Sequence, residues 1–323
     1  MSRKIISLVS TIGLSAGLGT VLGINYERHN REKHLSHLRD LFNLPTIKAA
    51  EKESVKLPAT QNKTLTVSKD HVDANVPSNA TQIMRFGFPG YDSIKTNHDY
   101  VLSYDKKNRV PHWVYEHLSR TKMNVPKNLT DRNQSEFLPD RAIHRYFRAT
   151  NEDYQGSGYD RGHLAAAANH RLSQASYQET FLLSNIAPQV GNGFNRHAWN
   201  DLEKMTRSLA RNFKNVYVCS GPLYLPRRES DGRNYIRYEV IGQNNIAVPT
   251  HFFKVLIMET EQNDLELLSF ILPNQCLPEK VDLNAFVVPI DSIERVAGLV
   301  FFNENNPWSC YTHVIEGGPS WTV

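Results

Sequence analysis

The spacing of apolar side chains predicts strands through much of the chain after residue 100. Tyr100–Tyr104 and His112–Tyr115 flank a polar loop, an arrangement typical of a hairpin. Further strands are predicted at Val216–Cys219, Tyr235–Ile241, Phe252–Glu259 and Leu265–Leu272.

In two other segments the apolar residues recur with the spacing of an α-helix. In Asp201–Phe213 the apolar residues Leu202, Met205 and Leu209 recur at spacings of three and four, which predicts an amphipathic helix. Asp291–Ala297 predicts a second, shorter helix. Strands that follow one another with few helices between them favour an α+β fold, with a central antiparallel sheet flanked by helices.

The N-terminal segment differs from the rest of the chain. Ile5–Ile24 is uncharged over 20 residues, and a helix of that length would just span a bilayer core of ~30 Å. A mitochondrial presequence with an anchoring stretch, a secretory signal peptide and a transmembrane anchor all fit this pattern. The mitochondrial interpretation is favoured, because a secretory apolar region is usually shorter and no A-x-A-like cleavage site follows.

Composition divides the chain into four parts. Residues 1–45 hold the targeting or membrane-anchor segment and a short charged helix. Residues 46–82 are polar, contain scattered prolines and are typical of a linker. The ordered domain is expected over residues 83–303, and residues 304–323 form a C-terminal tail.

Charge and cysteine content exclude some classes of protein. The 323-residue chain has a net charge of +4, and residues 1–45 contribute +3 of it through six basic and three acidic residues. A nucleic acid must therefore be bound by a local basic cleft, since the remaining +1 gives little long-range attraction. The cysteines Cys219, Cys276 and Cys310 contain no CxxC pair, which argues against a disulfide framework and against a zinc site.

The residues that carry chemistry lie between Tyr159 and Phe213. His163 closes the string DRGH, which brings an imidazole and a guanidinium together, and Asn185, Asn195 and Glu203 follow. Hydrolysis of a phosphodiester requires a base for the attacking water, positive charge for the transition state and stabilisation of the leaving oxygen. These residues supply the types of group that the reaction needs.

Spacing distinguishes the roles of Asn195 and Glu203. A continuous α-helix would separate the Cα atoms of these two residues by ~12 Å along its axis and their directions by ~80°. Both side chains could face one site, but both could not easily bind the same ion. We expect the Asn195 amide oxygen on a metal ion and Glu203 on a metal-bound water. This arrangement suits Mg²⁺, which prefers oxygen ligands and keeps several waters.

Seven strings between about Arg85 and Phe302 match a known family in their order and spacing. They are RFGFPG, YFRATNEDYQGSGYDRGHLAAAANHR, LSNIAPQ, FNRHAWNDLE, VYVCSGPLYLP, YEVIGQNNIAVPTHFFKV and IERVAGLVFF. Together they resemble the DRGH, or ββα-metal, family of DNA/RNA non-specific nucleases, and most of all its mitochondrial endonuclease G branch. Each string alone is short, so the specificity comes from the set.

The resemblance implies roles for individual residues. His163 would be the general base that activates water, Asn195 the one direct protein ligand of Mg²⁺, and Glu203 the residue that holds the water shell of the metal. Arg161 would contact the phosphate and steady the transition state.

Two further assignments come from the same resemblance. Asn185 would orient His163 or bind phosphate. Arg148, in the string YFRAT, is the candidate for a second phosphate-binding arginine. The sequence departs from one member of the family at Ser103, where that member has cysteine.

The resemblance also implies substrates, cofactor and location. We expect hydrolysis of DNA and RNA to products with a 5′-phosphate, dependent on Mg²⁺ with Mn²⁺ tolerated. Members of the branch form homodimers and reside in mitochondria, so a homodimer is expected in the intermembrane space or at the inner membrane, with nuclear release in cell death. Residues 5–24 are the candidate for membrane association.

Some neighbouring residues are expected to be structural. Asp160 is interpreted as a hydrogen-bond acceptor that fixes the DRGH turn, and Trp199 as part of the core. His170 and Arg171 are expected to cap a helix or to face solvent.

Two other functions stay open at this point. An inactive relative could retain the fold as a nucleic-acid-binding or membrane-tethered scaffold, although intact His163, Asn195 and Glu203 argue against it. A secreted nuclease with the same core is the other alternative, and the destination of a fusion carrying residues 1–60 would distinguish it.

Overall fold

The computed structural model of the chain describes residues 92–301 and 312–314. The strands of its central sheet are β1 (Ser93–Thr96), β2 (Tyr100–Asp105), β3 (Val110–Ser119), β6 (Asn215–Leu223), β11 (His251–Glu259), β12 (Leu265–Pro273) and β13 (Thr312–Val314). They lie in the order β1-β2-β3-β6-β11-β12-β13. Neighbouring strands are antiparallel except β12 and β13, which are parallel.

Both faces of the central sheet are covered. Along β11, Phe252 and Leu256 belong to one buried apolar cluster, whereas Phe253 and Val255 belong to a second cluster on the other face. A strand buried on both sides reads as a continuous apolar run, because successive side chains enter different cores. This explains why β11 and β12 show little polar alternation.

Shorter strands pair outside the central sheet. They are β4 (Tyr159–His163) with β5 (Ile186–Val190), β7 (Arg227–Arg228) with β8 (Asn234–Tyr235), and β9 (Val240–Ile241) with β10 (Ile246–Ala247). All three pairs are antiparallel.

Helices fill the connections. The α-helices are α1 (Arg120–Met123), α2 (Asn151–Tyr154), α3 (Gln174–Glu179), α4 (Asn200–Asn212) and α5 (Ile290–Ala297). A π-helical segment, Gly191–Trp199, runs directly into α4, but it is kinked near its start, where Asn192 and Gly193 have non-helical backbone angles. The 3₁₀ turns are Lys127–Leu129, Arg132–Gln134, Arg145–Phe147, Ala167–Asn169, Leu183–Asn185 and Leu283–Phe286.

The predicted fold class, α+β with a central antiparallel sheet and a few helices, is confirmed. Both predicted helices are present as α4 and α5. The predicted strand Tyr235–Ile241 is wrong: only its ends pair, in β8 and β9, and Ile236 and Tyr238 between them are exposed. The apolar side chains of this segment produce the sequence pattern of a strand. In the structure no other element covers them, and the middle of the segment has no partner strand.

The predicted segments at the two ends of the chain lie outside the described residues. This applies to the targeting segment at residues 1–45, to the linker at 46–82 and to the tail at 304–323 except Thr312–Val314. Among the helices of residues 92–301, none has both the length and the hydropathy needed to cross a membrane.

Candidate active site

A ribbon of two strands followed by a helix builds the candidate site. β4 pairs with β5, and the chain then passes through the π-helical segment into α4. Gly162 is needed where β4 crosses a buried side chain, because a Cβ there would lie 2.1 Å from Cδ of Gln189. Gly193 has φ of 79° where the backbone turns into the helix, a conformation that favours glycine.

His163 ends β4 among aromatic rings. Its imidazole lies 4.8 Å from the ring of Phe181 and 5.4 Å from the ring of Phe137, measured between centroids. Its Nε2 atom is buried and has no hydrogen-bond partner within the described residues. Burial, assisted by the positive charge of Arg132, lowers the pKa of His163 to about 3, so the ring is neutral near pH 7.

Two guanidinium groups cover the same aromatic rings. Arg161 is exposed, its Cζ lies 4.4 Å from the centre of Phe137, and it donates to Oδ1 of Asn151 over 2.7 Å. Arg132 lies over Phe181, with Cζ 4.4 Å from the ring centre. Each arginine thus packs on a ring that also contacts His163, which brings two positive charges to the side of the neutral imidazole.

Arg132 is a residue that the sequence analysis missed. It lies 31 residues before His163, on a 3₁₀ turn outside every string that carried the family resemblance. The rings that it contacts, Phe137 and Phe181, are also far apart in the sequence. An exposed arginine in a polar loop carries no signal by itself, so only the fold identifies it.

Asn195 is oriented by β4. Its Nδ2 donates to Asp160 over 2.9 Å, and Nε and Nη2 of Arg196 donate to the same carboxylate over 2.9 and 2.7 Å. Although partial burial opposes ionisation, these hydrogen bonds lower the pKa of Asp160. Because the amide nitrogen of Asn195 is bound to a carboxylate, its amide oxygen is the end left to accept a cation. Asp160 is therefore a hydrogen-bond acceptor, as expected, but it orients Asn195 and Arg196 and does not fix a turn, because the DRGH string lies in β4.

The assumption of a continuous α-helix from Asn195 to Glu203 is wrong. Asn195 lies in the π-helical segment, and α4 begins only at Asn200. A π-helix has wider turns than an α-helix, and such segments are frequent at functional sites. The axial separation and angle expected from α-helical spacing therefore do not apply to this pair.

Glu203 lies on the first turn of α4 beside buried cations. Burial raises its pKa to about 7, against the opposing charges of Lys254 and Arg207. Nη1 of Arg207 is 3.9 Å from the Glu203 carboxylate. Lys254 is 2% exposed, donates to Ser220 over 2.6 Å and lies 4.5 Å above the ring of Trp199.

Trp199 connects the start of α4 to β4, the strand that carries His163. It is 1% exposed, as the core assignment predicted, and its Nε1 donates to the backbone oxygen of His163 over 3.3 Å. The indole thereby fixes the end of β4 against the junction between the π-helical segment, which carries Asn195, and α4, which carries Glu203.

Asn185 and Arg148 direct their side-chain hydrogen bonds to backbone groups, which argues against phosphate binding by either residue. The other expectation for Asn185, that it orients His163, agrees with its bonds to the backbone of Leu164 and Ala165. Asn185 is fully buried: its Oδ1 accepts from the Ala165 amide, and its Nδ2 donates to the backbone oxygens of Ala165 and Thr180. It fixes the backbone two residues after His163 and has no donor left for phosphate. Arg148 donates to the backbone oxygens of Ile143 and Arg141 over 2.7 to 3.1 Å, so its guanidinium closes a loop.

The expectation for His170 is also corrected. His170 is 1% exposed, and its Nε2 lies 2.8 Å from Oε1 of Glu116, which is equally buried. Asn169 donates to the same oxygen over 2.8 Å and accepts from Arg207 over 3.3 Å. The second half of the DRGHLAAAANHR string thus forms a buried polar network that reaches α4.

A cavity of about 510 Å³ adjoins this site. Its walls include Asp160, Arg161 and Asn195 at one side, with Phe137, Asn151, Tyr154, Gln155 and Tyr159 completing it. Of the predicted residues, Arg161 and Asn195 line the cavity directly. His163 is linked to it through Phe137 and through the strand it shares with Asp160 and Arg161.

Asn195 offers a single amide oxygen at which a hydrated metal ion could be held. No cluster of three or more His, Cys, Asp or Glu side chains that could hold a metal occurs among residues 92–301. Gln189 is fully buried, its amide N and O atoms have no partner in this part of the chain, and it pairs with Asp160 across the β4–β5 ribbon. Its side chain packs against Gly162 and is not part of the cavity wall, so it takes no part in holding an ion.

Comparison with known proteins identifies relatives across most of the chain. The family described as DNA/RNA non-specific endonuclease matches residues 79–307. Mitochondrial endonuclease G of Caenorhabditis elegans is 44% identical over 304 residues, which cover 92% of this chain and 95% of that protein. Its human counterpart is 51% identical over 220 residues, which cover 68% of this chain and 73% of that protein.

A solved structure shares the fold. It is the complex of EndoG with EndoGI, described as revealing the mechanism of EndoG inhibition. It matches with a TM-score of 0.64 and 53% sequence identity, over 70% of this chain and 91% of that one.

Proposed function

This chain belongs to the DNA/RNA non-specific endonuclease family, whose members are metal-dependent hydrolases, and from that premise we propose its detailed reaction. The substrate is a phosphodiester of DNA or RNA, and the product carries a 5′-phosphate. The cofactor is Mg²⁺, with Mn²⁺ tolerated. One imidazole and one hydrated ion act on the same phosphate.

His163 serves as the general base. Its ring is neutral near pH 7 and therefore available to take a proton from an attacking water. The same aromatic surroundings that keep it neutral exclude competing water. An anionic phosphate bound beside the ring raises the imidazole pKa, because nearby negative charge favours the protonated form, and so improves proton transfer.

Arg161 and Arg132 hold the phosphate. Both are preorganised on aromatic faces, so little side-chain freedom is lost when the guanidinium groups bind the non-bridging oxygens. Their charge stabilises the pentacovalent transition state more than the ground state, because negative charge increases on those oxygens.

Asn195 would hold the metal through its amide oxygen, and Glu203 would accept hydrogen bonds from metal-bound water. Bound there, Mg²⁺ would polarise a non-bridging oxygen and stabilise the leaving 3′-oxygen. Asp160 keeps the Asn195 amide in the orientation that presents its oxygen. All of these groups would act on the phosphate or on the metal, so neither a particular base nor the 2′-hydroxyl is required, and both DNA and RNA are expected substrates.

One observation carries the proposal: Asp160, Arg161 and His163 lie on a single short strand, which links the neutral base, the phosphate-binding arginine and the orienter of Asn195. The test is nicking of supercoiled plasmid and of a single-stranded RNA by the purified chain, with Mg²⁺, with Mn²⁺ and with EDTA. We expect cleavage in the first two conditions and none in the third. DNA binding without cleavage in all three would support the scaffold alternative instead.

We also propose that the chain acts in mitochondria as a homodimer. The relatives from C. elegans and human are named mitochondrial, and the N-terminal residues 5–24 suit import or anchoring. Imaging of a fusion carrying residues 1–60 tests the location, and secretion would contradict it. Sedimentation at micromolar concentration tests the dimer, and a monomer there would contradict it.

A further inference from the structure

The carboxylate of Asp160 lies where it could bind a metal ion itself. Of the described residues that line the cavity, Asp160 alone is acidic, and its Oδ2 atom lies 2.9 Å from the amide nitrogen of Asn195. Proteins usually hold Mg²⁺ through one or two carboxylates. An unpaired Asp160 would therefore compete with the Asn195 oxygen for the ion.

The position of this carboxylate is fixed by the surrounding chain. The Asp160 side chain is 25% exposed and packs against Gly191, where a Cβ would lie 2.8 Å from Oδ2. Although partial burial opposes ionisation, hydrogen bonds from Arg196 and Asn195 lower the pKa of Asp160, so the group is ionised near pH 7. Asp160 is thus a fixed negative charge at the edge of the candidate metal site.

Arg196 binds both oxygens of this carboxylate. Its Nη2 donates to Oδ1 over 2.7 Å and its Nε donates to Oδ2 over 2.9 Å, a two-bond geometry that suits the planar guanidinium. Within residues 92–301, Arg196 is the one side chain that donates to Oδ1. The Arg196 side chain is itself 65% exposed, and the proposed reaction gives it no role.

Resting on the proposed function, we propose that Arg196 is a positioning residue that keeps Asp160 bound to the protein and so prevents it from binding the divalent cation. With both carboxylate oxygens bound to the guanidinium, the ion is left to the Asn195 oxygen and to water. A site with one neutral protein ligand binds its ion weakly, but it leaves the other coordination positions to water and to phosphate oxygens.

This role differs from simple support of the fold in the direction of its effect. If Arg196 only held Asp160 in place, its loss would disturb Asn195 and weaken cation binding, by ~10–100-fold for a typical partner of a metal ligand. If Arg196 prevents Asp160 from binding the ion, its loss frees Oδ1 and strengthens cation binding. The sign of the change in metal affinity therefore distinguishes the two roles.

The test measures Mn²⁺ binding to the purified chain by electron paramagnetic resonance, without nucleic acid and therefore without turnover. Arg196→Gln should bind Mn²⁺ about ten-fold more tightly than the wild type, because a charged oxygen joins the ligands. The exposure of Arg196 makes the variant compatible with folding, which urea denaturation checks. At saturating Mg²⁺ the variant should nick plasmid about ten-fold more slowly or worse, because the ion is displaced from the position set by Asn195.

Two further variants separate the freed carboxylate from the lost positive charge. Lys204→Gln is the matched control, because it also removes one cation and frees an aspartate, Asp201, which does not line the cavity. It should bind Mn²⁺ as the wild type does. Arg196→Gln combined with Asp160→Asn has no carboxylate to offer, so the gain in affinity should disappear.

Three outcomes would overturn the role of Arg196 and leave the proposed function intact. They are weaker or unchanged Mn²⁺ binding in Arg196→Gln, an equal gain in Lys204→Gln, and a gain that persists in the double variant. A wild-type chain that binds no Mn²⁺ would instead overturn the metal site of the proposed function, and this inference with it.

Discussion

His163 and His170 lie seven residues apart in the same string, yet the fold gives them opposite surroundings. His163 sits against Phe137 and Phe181, and its buried Nε2 has no partner within the described residues. His170 is bound through its Nε2 to a buried carboxylate, Glu116. Each ring has one buried nitrogen without a partner among the described residues, Nε2 of His163 and Nδ1 of His170, so what distinguishes them is the carboxylate that holds His170 in the structure.

The difference shows how burial acts in two ways. Around His163, apolar contact disfavours the charged ring and keeps it ready to accept a proton. His170 is more deeply buried than His163, and that burial would be costly without Glu116, which binds its Nε2 and is itself held by Asn169. A buried histidine is therefore a candidate base only when its partners do not already use the ring.

The largest expected effect is the loss of turnover when His163, but not a structural histidine, is replaced. His163→Ala should lower kcat/KM on plasmid DNA by ~10²–10⁴-fold, since it removes the general base. DNA binding, measured by fluorescence anisotropy in EDTA, should be retained. His98→Ala, at an exposed histidine, is the control and should be unaffected. Near wild-type turnover in His163→Ala would show that His163 is not the general base.

The second effect concerns stability, for which His170 and not His163 is expected to be the more important residue. His170→Ala should lower the free energy of unfolding by about 3 kcal/mol, because Glu116 stays buried with one partner fewer. His170→Gln keeps a donor and should recover part of that loss. Urea denaturation measures both, and equal stability of His170→Ala and the wild type would contradict the structural role.

The third effect tests which arginine serves the catalytic histidine. Arg132→Ala should lower kcat/KM by about ten- to a hundred-fold, the size expected for a hydrogen bond to a charged group. Arg148→Ala should lower it less, because its guanidinium binds the backbone of a loop. A larger loss in Arg148→Ala would restore the assignment made from the sequence.

The smallest effect is the pH dependence of stability that His163 contributes. The folded pKa of about 3 lies below the ordinary histidine pKa of 6.5, so below pH 6.5 the unfolded chain binds more protons than the folded chain. Stability from this residue is therefore complete above pH 6.5 and decreases as pH falls toward 3, by at most ~1.4 kcal/mol per pH unit. Urea titrations between pH 6.5 and 4.5 should show a shallower slope for His163→Gln, and identical slopes would contradict the shift.

Much of the fold could be predicted from local pattern. The helices α4 and α5 and the strands of the central sheet follow from period and burial, because each has a covered face that selects its apolar residues. Tyr235–Ile241 failed for the converse reason: its apolar residues are exposed. Pattern reports which side chains are apolar and does not report whether a layer covers them.

The site was predictable where its residues share one element. Asp160, Arg161 and His163 lie on β4, and their relation follows from their order in the sequence. Arg132 could not be found this way, since the contacts with Phe181 and Phe137 depend on the folded loop. The π-helical segment was hidden for a similar reason, because no local propensity distinguishes its wider turn from an α-helical one.

Because the DRGH string lies in the β4–β5 ribbon, the register of β4 decides which side each of its side chains faces. Successive residues of a strand face opposite sides, so Asp160 and Gly162 face the helix while Arg161 and His163 face the aromatic rings. A slip of β4 by a single position would exchange these faces, turning the base toward the helix and the orienting carboxylate toward the rings. Inserting or deleting one residue within this string would therefore abolish the reaction while leaving the central sheet intact, a sensitivity that substitutions alone do not reveal.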